Sequence, residues 1–174
     1  MNYFEFYEIP ESFTIDSGAL KRKFYELSKR YHPDFYANED EAKQQEILEL
    51  STLNNKAYQV LGDPAKRTEY ILKQHNLLQE GDKYELSPAF LMEMMDINEA
   101  LMDVDDAEQL AAITQQIADF ENDLNNELAK QTAGFEAADA TEKEVKLKAI
   151  KDIYFRQKYL LRIKDSLNTF AARL

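Results

Sequence analysis

Apolar residues recur along this chain at the three- and four-residue spacing of an α-helix, with few residues to interrupt them. Leu20, Phe24, Leu27 and Tyr31 follow this spacing, which places them on one helical face. Only four glycines and four prolines occur in 174 residues. No stretch alternates apolar and polar residues in the manner of a half-buried strand. The sequence therefore predicts an all-α fold.

Capping residues and prolines predict where the helices begin and end. Thr14 or Asp16 can cap the first helix, because either side chain can accept from a free N–H of its first turn. Pro33 should end that helix, since proline disfavours the helical conformation in the residue before it. A second helix of about 20 residues should follow and end at Gly62, which suits a C-terminal cap. The pair Asp63-Pro64 is typical of the start of the next helix.

A polar stretch divides the chain into two parts. Residues 76–87 contain few apolar side chains, and we interpret them as a linker. Residues 1–75 should form a helical hairpin module. Residues 88–174 should form a bundle of three helices, the first running from Pro88 to about Val104.

Composition excludes several classes of function. The net charge is −12, which disfavours nucleic acid as a partner because phosphate contacts require a basic surface. No apolar run approaches the length of a transmembrane helix, so we expect no membrane partner. The N-terminal sequence is aromatic and acidic, unlike a secretory or transit peptide, and we expect a soluble protein of the cytoplasm. There is no cysteine, which excludes thiolate zinc and iron–sulfur ligation, and we expect no metal or cofactor.

Charge is distributed unevenly along the second part of the chain. Residues 80–127 hold 14 acidic residues and one base, whereas residues 143–164 hold eight bases and two acidic residues. We interpret the contrast as two neighbouring helical segments that attract each other within one bundle.

The tripeptide His32-Pro33-Asp34 follows a basic helix and precedes a helix that ends in Asn55–Leu61. Together these features resemble a J domain, the module by which co-chaperones stimulate the ATPase of DnaK-family chaperones, over roughly residues 2–73. The resemblance implies that two antiparallel helices hold the tripeptide at their tip, where His32 and Asp34 engage the chaperone. It also implies that the basic helix lies against an acidic surface of that ATPase. The chaperone-binding residues expected by position are Lys21, Arg22, Tyr25, Lys29, His32, Pro33 and Asp34.

The helical wheel agrees with this assignment, because Arg22, Tyr25 and Lys29 lie opposite the apolar stripe and must face solvent or a partner. The alternative is that these cations only keep the helix soluble. An acid–base dyad of His32 and Asp34 would need a nucleophile or a metal cluster, and none accompanies them, so we expect no enzyme.

Three positions depart from the usual J-domain pattern. Phe35 stands where a basic residue is common, and Tyr25-Glu26 stands where positive charge is common. Asn54 occupies the middle of an apolar stripe, where it would need a buried hydrogen-bond partner. These departures leave the identity of the chaperone open.

The helix that begins at Pro88 carries more apolar residues than one face can hold. Phe90, Met94, Ile97 and Leu101 form one stripe, and a second, methionine-rich patch lies 100° or more away from it. An apolar patch rimmed by charge is typical of a docking surface, and methionine suits a surface that must adapt. The alternative is a central helix buried on two sides.

This helix, with Tyr3-Phe4, Ile9-Pro10 and the run Arg67–Leu72, also resembles the HscB-type co-chaperones over nearly the whole chain. The resemblance implies that the methionine-rich face binds IscU, the scaffold on which iron–sulfur clusters are assembled. The scaffold-binding residues carried over by position are Leu91, Met92, Met95, Asp96, Glu99, Asp103 and Phe155. On this interpretation we expect Leu91, Met95 and Phe155 to be solvent-exposed.

The resemblance predicts a co-chaperone with no chemistry of its own, which delivers an IscU-type scaffold to an HscA/DnaK-family ATPase and stimulates ATP hydrolysis there. A general J-domain co-chaperone for another client remains as an alternative, although such proteins usually carry a Gly/Phe-rich or zinc-ribbon segment. A hydrolase is a further alternative, but His32 and His75, the only two histidines, supply no convincing catalytic constellation.

Overall fold

The computed structural model describes residues 1–173. In that range the chain forms seven α-helices, one short 3₁₀ helix at Pro33–Tyr36 and no strand, which confirms the all-α prediction. The helices are α1 (Tyr3–Phe6), α2 (Ser17–Arg30), α3 (Glu41–Leu61), α4 (Pro64–Gln74), α5 (Pro88–Met102), α6 (Ala107–Thr132) and α7 (Ala140–Ala171). None of these helices is long and apolar enough to cross a bilayer.

The first compact unit comprises Met1–His75. Its centre is the pair α2 and α3, which pack through buried residues such as Leu20, Leu27 and Ile47. Of the two capping residues predicted for α2, Asp16 is the one used: its Oδ1 accepts from the backbone N–H of Ala19 at 2.6 Å. The short α1 was not predicted, because four residues cannot show a helical period.

The junction between α3 and α4 has the predicted residues in their predicted roles. Gly62 is the C-cap of α3, Asp63 is the N-cap of α4 and Pro64 is at the first turn of α4. Gly62 has a φ of −77°, so left-handed backbone is not the reason for glycine here. A Cβ at this position would lie 2.8 Å from the carbonyl oxygen of Tyr58, and it is this close approach that favours glycine.

Asn54 is buried in the α2–α3 interface, and its side-chain amide is hydrogen-bonded there. The amide nitrogen donates to the carbonyl oxygen of Phe24 at 3.2 Å and to Ser28 Oγ at 3.0 Å. The prediction that this polar residue has a buried hydrogen-bond partner is confirmed. Without a partner, the buried amide would carry its full desolvation penalty.

Arg67 of α4 is also buried, and its guanidinium donates only to backbone carbonyls in the bonds seen here. Nε donates to the carbonyl of Phe13 at 3.0 Å and a terminal nitrogen to that of Leu61 at 2.6 Å. The Leu61 carbonyl belongs to the last turn of α3, where helical partners run out. Arg67 therefore joins the end of α3 to the segment before α2, and its burial lowers its pKa.

The second unit begins at Asn76. Residues 76–87 are not helical, and Ser87 caps α5, whose last residue is Met102 rather than the predicted Val104. Helices α5, α6 and α7 share one apolar core. Its buried residues are Phe90, Met94, Ile97, Leu101, Ile113, Ile117, Leu124, Leu160, Ile163 and Leu167.

The predicted attraction between the acidic and basic segments of this unit is confirmed by contacts between α6 and α7. Arg156 forms an ion pair with Glu127, and Lys164 Nζ lies 2.7 Å from Glu121 Oε2. Gln157 donates to Asn125 Oδ1 at 3.1 Å. These polar pairs flank the apolar seam of the two longest helices.

Candidate functional site

His32-Pro33-Asp34 forms a structured turn at the end of α2. His32 caps the 3₁₀ helix, and its Nδ1 accepts from the backbone N–H of Asp34 at 3.2 Å. Tyr36 closes the turn by donating its hydroxyl hydrogen to the carbonyl of Arg30 at 2.9 Å. The side chains of His32 and Asp34 are 52 % and 88 % exposed. The turn thus presents both groups to solvent in a fixed backbone geometry.

The cations of α2 fall into two groups. Lys23 pairs with Glu8, and Arg30 pairs with Glu26. Lys21, Arg22 and Lys29 are exposed and, within residues 1–173, have no carboxylate at ion-pair distance. Of the five cations on α2, three therefore remain available to a partner's carboxylates.

The name "tip surface" is used below for seven exposed residues of this region. They are Lys21, Arg22, Tyr25, Lys29, His32, Pro33 and Asp34. Tyr25 is 59 % exposed and Lys21 Nζ lies 6.0 Å from its ring centroid, so an aromatic ring lies among the cations. Phe35 extends this region with a 69 % exposed ring whose centroid is 5.7 Å from that of His32. An acidic protein surface with an apolar spot would complement such a face.

Helix α5 has the two faces that its sequence predicts. Met94 and Ile97 are fully buried in the core, whereas Met92 and Met95 are 66 % and 58 % exposed. Asp96 and Glu99 are exposed on the same helix, and Asp103 is exposed at its C-cap. The alternative of a helix buried on two sides is wrong for the methionine-rich face.

Two residues expected to be exposed are only partly so. Leu91 and Phe155 are half-buried, which corrects the expectation of full exposure. The Phe155 ring stacks on Tyr84, with centroids 4.6 Å apart and planes at 7°. Tyr84 belongs to the stretch interpreted as a linker, and its hydroxyl donates to Asp152 Oδ1 at 2.7 Å. A helical wheel cannot reveal this cover, because it comes from residues 71 positions away in the chain.

The name "α5–α7 surface" is used below for the seven residues on these helices that the resemblance assigned to the scaffold. Leu91, Met92, Met95, Asp96 and Glu99 lie on α5, Asp103 is the C-cap of α5, and Phe155 lies on α7. Tyr84 contacts this surface through Phe155, and the sequence alone did not identify it. Burial, followed by its bond to Asp152, raises the pKa of Tyr84 to about 12.

The remaining histidine, His75, contacts a carboxylate and is not part of either surface. His75 Nε2 lies 2.7 Å from Glu11 Oε1. Among the described residues, no three His, Asp or Glu side chains are grouped closely enough to hold a metal ion.

Comparisons with known proteins match the two parts of the chain to two different family models. Residues 2–70 match the family model of the DnaJ domain, and residues 86–168 match the model described as the HSCB C-terminal oligomerisation domain. A protein of Vibrio vulnificus (strain YJ016) named co-chaperone protein HscB homolog is 36 % identical over 146 residues, which cover 76 % of this chain and 85 % of the relative. A protein of Shewanella baltica (strain OS195) with the same name is 30 % identical over 172 residues, covering 96 % and 99 %.

Solved structures show the same architecture. Human co-chaperone protein HscB superposes with a TM-score of 0.74 at 24 % identity, covering 100 % of this chain and 84 % of the human chain, which demonstrates a shared fold. Chaperone HscB from Vibrio cholerae gives a TM-score of 0.67 at 26 % identity and covers 100 % and 99 %. With its J domain, its HscB-type C-terminal domain and relatives of this similarity over most of its length, the chain belongs to the HscB family of co-chaperones.

Proposed function

We propose that this protein binds an IscU-type iron–sulfur scaffold and delivers it to an HscA/DnaK-family chaperone, whose ATPase it stimulates. The scaffold would bind the α5–α7 surface, and the chaperone would bind the tip surface. The observation that carries the proposal is the presence, on one chain, of two exposed surfaces with different chemistry. One is cationic and built around a fixed turn, and the other is methionine-rich with acidic neighbours.

The tip surface suits an acidic ATPase domain. The unpaired cations Lys21, Arg22 and Lys29 would accelerate encounter and fix the orientation of the complex. The turn at His32-Pro33-Asp34 would then bind without a large ordering penalty, because its backbone is already fixed in the free protein. The protein contributes no bond-making step; ATP hydrolysis takes place on the chaperone.

The α5–α7 surface suits a folded partner with an apolar patch of its own. Met92 and Met95 supply flexible apolar area, and Asp96, Glu99 and Asp103 supply charge that can discriminate among partners. Because both surfaces belong to one chain, binding the scaffold raises its effective concentration near the chaperone.

An ATPase assay with purified components tests this proposal. The protein alone should hydrolyse no ATP, it should raise the rate of an HscA/DnaK-family chaperone, and addition of the scaffold should raise that rate further. Equal stimulation by the scaffold and by an unfolded client would favour the general co-chaperone instead. Hydrolysis by the protein alone would contradict the proposal.

A further inference from the structure

A groove lies beside the α5–α7 surface, and most of its lining residues belong neither to that surface nor to the tip surface. It lies between residues 82–88 and α7 and has a volume of about 630 Å³, within the range of about 300–1,000 Å³ typical of ligand clefts. Leu91 and Phe155 line it, so the groove is continuous with the α5–α7 surface. Lys158 and Arg162 line it as well.

The wall of the groove is fixed before any ligand binds. The Tyr84 ring lies on Phe155, and its hydroxyl is held by Asp152, which in turn accepts from Arg156 Nε at 2.8 Å. Lys151 Nζ lies 5.6 Å from the centroid of the Tyr84 ring. A stacked ring with a hydrogen-bonded hydroxyl and a nearby cation has little freedom, so the cleft is preorganised.

The two cations in the groove are unneutralised within residues 1–173. Lys158 and Arg162 are exposed and four positions apart on α7, which places them side by side on one helical face. No carboxylate in that range lies at ion-pair distance from either, although Lys158 Nζ is 5.7 Å from the Tyr154 ring centroid. Their neighbours on the helix, Arg156 and Lys164, are both paired.

The acidic residues of the groove do not neutralise these cations. Asp82 and Glu85 line the opposite wall, and Asp82 Oδ2 accepts from the backbone N–H of Gln79 at 2.9 Å. Two adjacent cations repel each other on a helix, and a carboxylate brought by a partner would relieve that repulsion. The chain has an excess of acidic residues, with a net charge of −12. Even so, none of its described carboxylates forms an ion pair with Lys158 or Arg162.

We propose that this groove binds a segment of the scaffold that carries an apolar side chain next to a carboxylate. The apolar side chain would lie against Leu91 and the Tyr84–Phe155 stack, and the carboxylate would pair with Lys158 and Arg162. This inference rests on the proposed function, and it adds a cationic site on α7 to the acidic residues of α5. Charges of opposite sign on the two helices would permit one orientation of the scaffold and oppose the reverse one.

Charge reversal tests the inference. The variant Lys158→Glu/Arg162→Glu is compared with Lys130→Glu/Lys148→Glu, which changes the net charge equally at exposed positions of the same unit outside the groove. Affinity for purified IscU-type scaffold is measured by isothermal titration calorimetry, and circular dichroism melts verify folding. We expect at least a tenfold loss for the groove variant and less than a twofold change for the control. A scaffold variant with the matching carboxylate changed to lysine should restore binding to the groove variant.

Other results would overturn the inference in distinguishable ways. If the groove variant binds like the control while Met92→Ala/Met95→Ala loses affinity, the groove is not part of the interface and the proposed function stands. If the unmodified protein does not bind the scaffold, the proposed function and this inference both fail. If sedimentation shows a dimer that the groove variant cannot form, the groove accommodates a second copy of the chain and the inference is wrong.

Discussion

The Tyr7 hydroxyl donates a 2.7 Å hydrogen bond to Asn54 Oδ1, joining residues 47 positions apart in the interior of the first unit. Both residues are 1 % exposed. Burial, together with the nearby Tyr58, raises the pKa of Tyr7 far above its usual range. The polar residue in the middle of α3 thus fixes the aromatic N-terminal segment against the helical hairpin.

Removing this hydroxyl should destabilise the first unit. Tyr7→Phe leaves Asn54 Oδ1 buried without its donor, which costs about 1–3 kcal/mol. Urea unfolding, with hydrogen exchange of the α3 amides to identify the unit that opens, measures the change. Tyr25→Phe, at an exposed site, should stay within about 0.5 kcal/mol. Equal stability of Tyr7→Phe and the unmodified protein would show that this bond contributes little.

Changes in the turn should abolish chaperone stimulation without unfolding the protein. His32 and Asp34 lie outside the apolar core and are exposed, so His32→Gln and Asp34→Asn should retain the helical content seen by circular dichroism. Stimulation of a DnaK-family ATPase should fall to background. Full stimulation by both variants would contradict the role assigned to the tip surface.

Stimulation of the chaperone should weaken as salt is raised, because salt screens the attraction between three cations of the tip surface and an acidic partner. Raising salt from about 0.05 to 0.5 M shortens the range over which charges attract and should weaken stimulation. Lys21→Gln/Arg22→Gln/Lys29→Gln should stimulate less at low salt and show a shallower salt dependence. Lys66→Gln, an exposed cation on α4, serves as a control that should match the unmodified protein. An unchanged slope in the triple variant would rule out steering by these residues.

Truncation of the exposed methionines should separate binding from folding. Met92→Ala and Met95→Ala should each cost about 0.5 kcal/mol of stability or less. Together they should weaken scaffold binding at least about tenfold, or 1.4 kcal/mol. Met94→Ala, on the buried face of the same helix, should cost about 2–5 kcal/mol. A thermal melt and a scaffold titration of the same variants provide both values.

Leu91→Ala and Phe155→Ala should fall between these limits in stability, because both side chains are half-buried. If either variant melts like the unmodified protein, its partial burial contributes nothing to folding.

Tyr84 should titrate late when the protein is folded. Its pKa is raised from 10.0 to about 12, so the folded state keeps this proton at a pH where the unfolded state has lost it. The contribution to stability is therefore complete below about pH 10 and is lost as pH rises towards about 12. The difference in tyrosinate absorbance between the unmodified protein and Tyr84→Phe should show this late step. A difference titration centred near pH 10 would mean that neither burial nor the bond to Asp152 raises the pKa of Tyr84.

Local chemistry made most of the helix boundaries predictable. Asp16, Pro33, Gly62 and the pair Ser87-Pro88 act on their own neighbours in the chain, and such effects can be inferred from adjacent residues alone. The two faces of α5 were predictable for the same reason, since a helical period relates residues that are close in sequence.

Contacts between distant segments were not predictable in this way. The stack of Tyr84 on Phe155 brings a non-helical residue onto α7, and it half-covers a side chain that the helical wheel directs to solvent. The reason for glycine at position 62 likewise required the backbone geometry, because a cap with negative φ and one with positive φ have the same sequence. The pairing of Lys23 with Glu8 depended on where α1 lies.

The ion pairs between α6 and α7 also favour one lengthwise alignment of these two helices. Apolar stripes on long antiparallel helices could slide by one turn, about four residues, and still meet. A slide in one direction would set Lys164 opposite Ile117, and a slide in the other would set it opposite Asn125, so both would remove its carboxylate partner. Of these three registers, the observed one alone keeps a carboxylate opposite both Lys164 and Arg156, and it sets the height on α7 at which Phe155 lies beside Leu91.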